Sequence, residues 1–157
     1  MANTIKKYPI TKYYFEVTVI ALNGNSQTMS FQEVSGLEGT RDKAEYREGD
    51  NPSLIKKQIP AMQTFGELTL KRGTFEGHNE FFTWWNGTEV DPMPDRRTLI
   101  ISLLNPNGLP IITWNVKNAF PTKFTSTDLN AQNNEVAIET LVLVHEGITV
   151  TNNEVLA

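Results

Sequence analysis

Apolar side chains that recur at every second position are the feature that most constrains the fold of this chain. Phe15, Val17 and Val19 alternate with more polar neighbours, and a period of two is typical of a β-strand with one buried face. The further strand candidates are residues 68–70, residues 99–103, the alternating Ile112, Trp114 and Val116, and residues 136–144. The chain is therefore predicted to be mainly β.

Turn residues between these runs predict that neighbouring strands pair antiparallel. Asn23-Gly24-Asn25 follows the first run, and the alternation resumes at Met29. Asn and Gly adopt the positive φ of tight turns at little cost, so this segment predicts a hairpin. Asn105-Pro106-Asn107-Gly108 predicts a second one. The runs 99–104 and 136–144 are apolar on nearly both faces, which predicts that a core covers one side and a helix or another subunit the other.

One segment has the spacing of an amphipathic helix. Residues 79–86 place Phe81, Trp84 and Trp85 at positions i, i+3 and i+4, and a glycine stands near either end. Thr127-Asp128-Leu129 is a candidate for a single helical turn. The predicted fold is thus an antiparallel β-sandwich or barrel with one flanking α-helix, formed by a single domain over residues 1–157.

A long charged arm over about residues 36–60 departs from this pattern. It connects predicted elements through 25 residues, which is longer than the ~12–15 residues beyond which loops are usually functional or disordered. Leu37, Tyr46, Leu54 and Ile55 recur through it, so its composition is not that of a disordered segment. Five acidic and five basic residues balance each other, which favours a solvated or partner-facing surface over a polyanion-binding patch.

Composition excludes several classes of function. The net charge is −4 and the pI is near 5.2, which argues against broad binding to a phosphate backbone. The absence of cysteine removes disulfides, thiolate metal sites and cysteine nucleophiles. No apolar run reaches the roughly 18 residues of a membrane span, and neither a signal peptide nor a direct membrane anchor is predicted. Residues 124–157 carry five acidic and no basic side chains, so the negative charge is concentrated there.

Catalytic patterns are weak throughout the chain. His78 and His145 lie far apart and outside any metal-binding spacing, so both are predicted to be solvent or interface residues. No nucleophile elbow, phosphate-binding loop or unneutralised pair of carboxylates is present. The aromatic cluster around Trp84 is interpreted as core and interface, with a sugar-stacking platform as the alternative. We therefore predict no catalytic residue, no metal and no cofactor.

A series of short motifs, in order, resembles the tail-tube protein family of contractile phages and of phage-derived extracellular contractile injection systems. The motifs are Phe31-Gln32-Glu33-Val34-Ser35-Gly36-Leu37, Tyr46-Arg47-Glu48-Gly49, Leu68-Thr69-Leu70-Lys71-Arg72-Gly73, the tryptophan in the helix, Asn118-Ala119-Phe120-Pro121, Asn134-Glu135-Val136-Ala137-Ile138-Glu139 and His145-Glu146-Gly147. The resemblance covers roughly residues 10–150. Each motif alone is weak, but the shared order is specific.

This resemblance implies a structural function without chemistry. It implies a fold similar to the haemolysin-coregulated protein of type VI secretion, and hexameric rings of the chain stacked into a hollow tube. The expected partners are further copies of the chain, a surrounding sheath protein, baseplate and spike proteins, and a cargo effector or DNA in the lumen. Assembly is expected in the cytoplasm, with the product being a phage tail or an extracellular injection particle.

The resemblance also gives the arm a role, as a hairpin-like extension that docks on the neighbouring ring. The residues expected at this contact are Arg41, Lys43, Glu45, Tyr46, Arg47 and Glu48. The acidic bias near the end of the chain makes Glu135 and Glu139 candidates for charges that face the lumen, where like-signed side chains would let cargo slide.

Two other classes of function remain as alternatives. The first is a monomeric β-sandwich that binds carbohydrate through Trp84, Trp85 or Trp114. The second, a barrel-type enzyme, is the weaker one because no nucleophile–base or metal grouping is visible. Assembly size separates the tube subunit from both, since a tube subunit forms rings or filaments and a binding module is usually monomeric.

Overall fold

The computed structural model describes residues 14–21, 24–50, 52, 55–74, 76–90, 96–132 and 135–152. Within these residues the chain forms ten strands and one helix. They are β1 Phe15–Ile20, β2 Ser26–Met29, β3 Glu33–Ser35, β4 Gly39–Tyr46, β5 Lys57–Phe65, β6 Leu68–Gly73, α1 Glu80–Val90, β7 Arg97–Leu104, β8 Pro110–Thr125, β9 Ile138–Val144 and β10 Gly147–Asn152. The prediction of a mainly β fold with one helix is confirmed.

Strand β8 organises the main sheet, whose order is β2-β1-β7-β8-β9-β6-β3 with all pairs antiparallel. Residues 110–119 of β8 pair with β7, residues 112–117 pair with β10 on the other side, and residues 120–125 pair with β9. The two halves of the sheet enclose one core, because Val17 and Leu99 of one half cluster with Leu68 and Leu141 of the other, and all four are fully buried. The expected antiparallel sandwich or barrel is therefore present.

The change of partner along β8 occurs at an irregular residue. Asn118 has a positive φ of 51°, and the register between β7 and β8 shifts at this point, as in a β-bulge. The Asn118 side chain donates a 2.7 Å hydrogen bond to Glu146 Oε2, and Arg96 donates one of 2.8 Å to Glu146 Oε1. The bulge bends β8, and Glu146, between β9 and β10, holds the bend from outside the strand.

Both predicted hairpins are present, and their turn chemistry is visible. The β1–β2 turn contains Gly24 with a φ of +86°, while Asn23 lies outside the described residues. In the β7–β8 turn, Asn105 Oδ1 accepts hydrogen bonds from the backbone N–H of Asn107 and of Leu109, at 3.0 and 2.9 Å. Such a side-chain acceptor replaces a backbone turn bond, which is why Asn is favoured there.

The structure corrects some predicted boundaries. The helix does not end at Gly87 but continues to Val90, because a helix tolerates an exposed glycine at a cost of only about 1 kcal/mol. Thr127–Leu129 is not helical, since no apolar face is available there to be packed. The predicted strand 136–144 begins at Ile138.

Helix α1 closes the core with its aromatic side chains. Phe81 and Trp84 are buried, and Phe81 stacks on Phe31 with ring centroids 5.6 Å apart. Trp85 is half-buried, with its ring centroid 6.4 Å from that of Phe124 on β8. The interpretation of this cluster as core is confirmed for Phe81 and Trp84.

Candidate functional site

The described part of the chain holds no cluster of metal ligands, and the sugar-binding alternative loses one of its three tryptophans to the core. No three His, Cys, Asp or Glu side chains among the described residues are placed to hold a metal ion. His78 contacts Glu80, whereas His145 contacts the carbonyl of Gly66, so the two histidines serve different parts of the molecule. Trp84 is 3% exposed and cannot offer its face to a sugar. No helix in the described residues has the length and apolar character needed to cross a membrane.

The segment that stands out is a hairpin made of β4, β5 and the connection between them, which we call the charged hairpin (residues 39–65). Its two strands form a sheet of their own, separate from the main sheet. All of β4 and all of β5 except Phe65 are exposed. An isolated two-stranded ribbon is at best marginally stable in water. A long exposed ribbon on a folded body is therefore a candidate contact surface.

The charged hairpin has two different faces. Residues opposite each other or two apart on a strand share a face, so Arg41, Lys43 and Glu45 lie on one side, whereas Tyr46 and Ile59 lie on the other. The register shifts between Arg41 and Lys43, next to Pro60, which has no N–H to donate and fits only at edges or bulges. One face thus carries Arg41, Lys43 and Glu45, and the opposite face carries Tyr46 and Ile59 together with Lys57, the partner of Tyr46 across the ribbon.

Ion pairs within the hairpin neutralise part of its charge. The Glu45 carboxylate forms ion pairs with Lys56 Nζ at 3.4 Å and with Lys43 Nζ at 3.9 Å. The Glu48 carboxylate pairs with Lys57 Nζ at 3.4 Å. All these side chains are well exposed, so each pair contributes at most about 1 kcal/mol. Lys43, Glu45 and Glu48, which the sequence assigned to a contact between rings, therefore have partners on their own chain.

The two arginines of the hairpin differ from these residues. Arg41 lies within β4, and Arg47 follows the end of that strand. Both are exposed, and neither forms an ion pair with any residue that the structure describes. Of the six residues predicted for the contact, these two offer an unpaired charge and Tyr46, 53% exposed, offers an aromatic ring.

The root of the hairpin is closely fitted to the body. Gly36 has a φ of +91°, and a Cβ placed on it would lie 1.9 Å from the carbonyl oxygen of Glu67. The Phe65 ring lies against Gly39 and 5.6 Å from the ring of His145. His145 donates from Nε2 to the carbonyl of Gly66 at 3.1 Å, and burial lowers its pKa despite this bond. These contacts fix the direction in which the hairpin leaves the body, and no sequence motif indicated them.

The two predicted lumen-facing acids lie in different environments. Glu139 is 7% exposed and shares the inward face of β9 with Leu141 and Leu143. Its carboxylate accepts a hydrogen bond from Arg72 Nε. This burial corrects the prediction for Glu139, because a side chain neutralised inside the subunit cannot present charge to a channel. Glu135 is exposed on the connection 126–137 between β8 and β9.

Arg72 is the centre of this buried polar cluster. It is 4% exposed, its NH2 group donates to Glu80 Oε2 at 3.0 Å, and its guanidinium lies 4.0 Å from the centroid of the Phe81 ring. Burial alone would raise the pKa of Glu80, but hydrogen bonds from its own backbone N–H, from Arg72 and from His78 outweigh it and lower the pKa to about 2. The cluster pins the start of α1 to β6 and β9, and its role is structural.

The chain resembles known proteins over nearly its whole length. Residues 11–149 match the family described as T4-like virus tail tube protein gp19. No curated protein matches the chain. A chain in the cryo-EM structure of the sheath–tube complex of the extracellular contractile injection system PVC, in its extended state, is 32% identical, with 94% of this chain and 95% of that chain covered and a TM-score of 0.83.

Two further solved structures extend the comparison. A chain of the tube-terminating cap of the anti-feeding prophage AFP is 31% identical, with 98% of this chain and 100% of that chain covered and a TM-score of 0.83. The Hcp1 protein of E. coli pathovar EAEC 042 is 9% identical, with coverage of 90% and 92% and a TM-score of 0.54, and this likeness concerns the fold alone.

Proposed function

Because the chain belongs to the T4-like virus tail tube protein family, it is a structural tube subunit of a contractile injection system or phage tail rather than an enzyme, and we propose that six copies close into a ring and that rings stack into a tube. The observation that carries this proposal is the charged hairpin, because an exposed two-stranded ribbon is only marginally stable without further contacts. A contact between two different surfaces of identical chains generates rings or filaments, which is the geometry that a tube requires.

The hairpin is the proposed contact between stacked rings. Arg41 and Arg47 have charge to offer because their neighbours Lys43, Glu45 and Glu48 are engaged within the hairpin. Tyr46 adds an exposed ring on the opposite face, and aromatic and arginine side chains are the usual anchors of interfaces. We expect opposite charges here to fix register and choice of partner more than affinity.

The wider assembly is proposed by analogy with the relatives. The PVC relative comes from a sheath–tube complex and the AFP relative from a tube-terminating cap, and a further AFP chain, 26% identical, comes from a baseplate. We propose that this chain likewise contacts a sheath protein outside the tube and baseplate and spike proteins at its end. Assembly in the cytoplasm, and a lumen that holds a cargo effector or DNA, complete the proposal.

The channel wall remains a separate prediction. With Glu139 buried against Arg72, Glu135 is the remaining predicted lumen-facing acid, and it is exposed. If Glu135 lines the channel, then E135K should leave tubes intact and slow the release of anionic cargo. Unchanged loading and release in E135K tubes would contradict that role.

Electron microscopy of the purified protein tests the proposed function. Negative-stain images should show rings or tubes, and sedimentation should give a mass near six protomers or higher. A monomeric mass at every concentration and salt, combined with affinity for sugar, would instead favour the carbohydrate-binding alternative.

Single charge reversals test the hairpin contact. R47E should shorten tubes or reduce their yield more than E48K, because Glu48 is already paired with Lys57 and Arg47 has no ion-pair partner among the described residues. K123E, which reverses an exposed charge on β8, is the matched control and should leave tubes unchanged. Wild-type tube length and yield in both R47E and E48K would remove the hairpin from the contact.

A further inference from the structure

The most exposed large apolar side chains fall in two places. Of the described residues, Leu129 is 93% exposed and Val136 is 79% exposed. Both lie on the connection between β8 and β9, whose described residues 126–132 and 135–137 we call the acidic connection. Ile55 at 78% and Met62 at 77% come next, and both belong to the charged hairpin. These side chains are mostly exposed to solvent in a single chain, so the two surfaces do not cover each other within one copy. Contiguous exposed apolar surface rimmed by polar residues marks interaction sites.

Both surfaces carry exposed charges that form no ion pair with a described residue. On the acidic connection, Asp128 directly precedes Leu129 and Glu135 directly precedes Val136. Both acids are exposed, and neither forms an ion pair with a residue that the structure describes. The acidic connection thus presents two couples, each of one carboxylate beside one aliphatic side chain.

On the charged hairpin, Arg41 and Arg47 are the exposed cations without an ion pair to a described residue, and the exposed Asp42 lies on the face of β4 opposite Arg41 because strand neighbours alternate. Arg41 pairs across the ribbon with Gln63, which is the chain neighbour of Met62. Arg47 follows Tyr46 in the chain, and Tyr46 pairs across the ribbon with Lys57. Ile55 lies two residues before Lys57 in the sequence. Exposed aliphatic side chains therefore stand near both cations along the ribbon, with Met62 on the face opposite Arg41 because strand neighbours alternate.

A groove lies beside the acidic connection. This groove, of about 460 Å³, is lined by residues that include Asp128, Glu135 and Val136. The basic side chain on its wall, Lys71, lies 3.8 Å from Glu33, so its charge is offset. The groove therefore offers negative charge and aliphatic surface together.

We propose that the acidic connection of one copy receives the charged hairpin of a neighbouring copy. This inference rests on the proposed function, and it names the surface on which the hairpin docks. Arg41 and Arg47 approach Asp128 and Glu135, while the adjoining aliphatic side chains of both surfaces are removed from water. Because donor and acceptor surfaces differ, every copy leaves one of each open, and the contact propagates. This contact and a channel-wall role of Glu135 exclude each other, and E135K separates them, because it should reduce tube yield in the first case and leave tubes intact in the second.

Charge reversal with mixing tests this pairing. The variants are R41E/R47E, with two acidic patches, and D128K/E135K, with two basic patches. Each alone brings like charges together at the contact and should lose tubes at about 0.15 M salt, where the Debye length is about 8 Å. An equimolar mixture should recover tubes that contain both variants in equal amounts, because each basic surface then meets an acidic one. The fourfold variant, with all four charges exchanged, should assemble by itself.

A matched control separates this contact from a general effect of net charge. E16K/E76K changes the net charge by the same amount at two exposed acids elsewhere, and it should assemble as the wild type does. Normal tubes formed by D128K/E135K alone, or no recovery in the mixture, would overturn the inference. If R41E/R47E fails to assemble while D128K/E135K is normal, the hairpin contact holds and its receiving surface lies elsewhere. If the wild type itself stays monomeric, the proposed function fails.

Discussion

Arg72 and Glu139 stand directly opposite each other on β6 and β9 and join their side chains by a buried hydrogen bond. They are 67 residues apart in sequence. Both are less than a tenth exposed, and such a pair is costly to break from one side because the remaining charge stays buried.

Removal of Glu139 should therefore destabilise the subunit. We expect E139A to lower the free energy of unfolding by about 3 kcal/mol, because Arg72 then keeps only Glu80 as an ionic partner in the interior. Urea unfolding of the dissociated subunit measures this change. E135A, which alters an exposed acid, is the control and should stay within about 0.5 kcal/mol of the wild type. Equal effects of the two substitutions would contradict the burial of Glu139.

Acid should weaken the anchoring of helix α1. The pKa of Glu80 is about 2 in the folded chain, against an ordinary value of 4.5. A carboxylate with a lowered pKa stabilises the fold above its unfolded value, and this stabilisation is lost as the pH falls from about 4.5 toward 2. Melting temperatures measured over this range should fall less steeply for E80Q than for the wild type. Parallel profiles would show that Glu80 does not carry the effect.

Gly36 should resist substitution even by alanine. A Cβ there would meet the Glu67 carbonyl at 1.9 Å, and its φ is +91°, so both the space and the backbone conformation exclude a side chain. We expect G36A to cost about 2 kcal/mol or more, measured by thermal unfolding. G49A, at a position where a Cβ meets nothing within 4 Å, should differ little from the wild type. A stable G36A would mean that the hairpin root can rearrange freely.

Phe65 should control local opening of the charged hairpin. Its ring is packed beside His145 and Gly39, so F65A removes the contact that holds the root. Trypsin should then cleave several-fold faster after Arg47, Lys56 and Lys57, because local opening governs access to a protease. The melting temperature of the core should change much less. I59A, which truncates an exposed side chain of the same hairpin, should be cleaved at the wild-type rate, and equal cleavage of F65A would contradict the role of Phe65.

Much of the body of the fold could be predicted because its strands have one buried face. The alternation around Val17 predicts β1, and the Asn105 turn predicts the β7–β8 hairpin, since each of these signals is local. The sequences of β4 and β5 show no alternation of apolar and polar residues. Their side chains are exposed on both faces, so burial imposes no period of two, and only the resemblance indicated a hairpin there.

The contacts between distant residues could not be predicted from the sequence. Glu139 was taken for a surface acid because its charge is visible in the sequence, but its partner Arg72 is not near it along the chain. A register shift of one residue would move Glu139 to the other face of β9, and no local signal fixes that register. The exposure of Leu129 and Val136 was not predicted either, because the sequence placed Leu129 in a candidate helical turn and Val136 in a strand that begins only at Ile138.

Strand β8 belongs to both halves of the sheet, and this continuity has a mechanical consequence. A pull along β8 would pass through one unbroken run of peptide bonds, and the ladder bonds to β7, β9 and β10 lie across the strand. Such bonds are sheared together instead of being unzipped one after another. A subunit built around this strand would therefore resist a pull along either side of the bend at Asn118 as one piece.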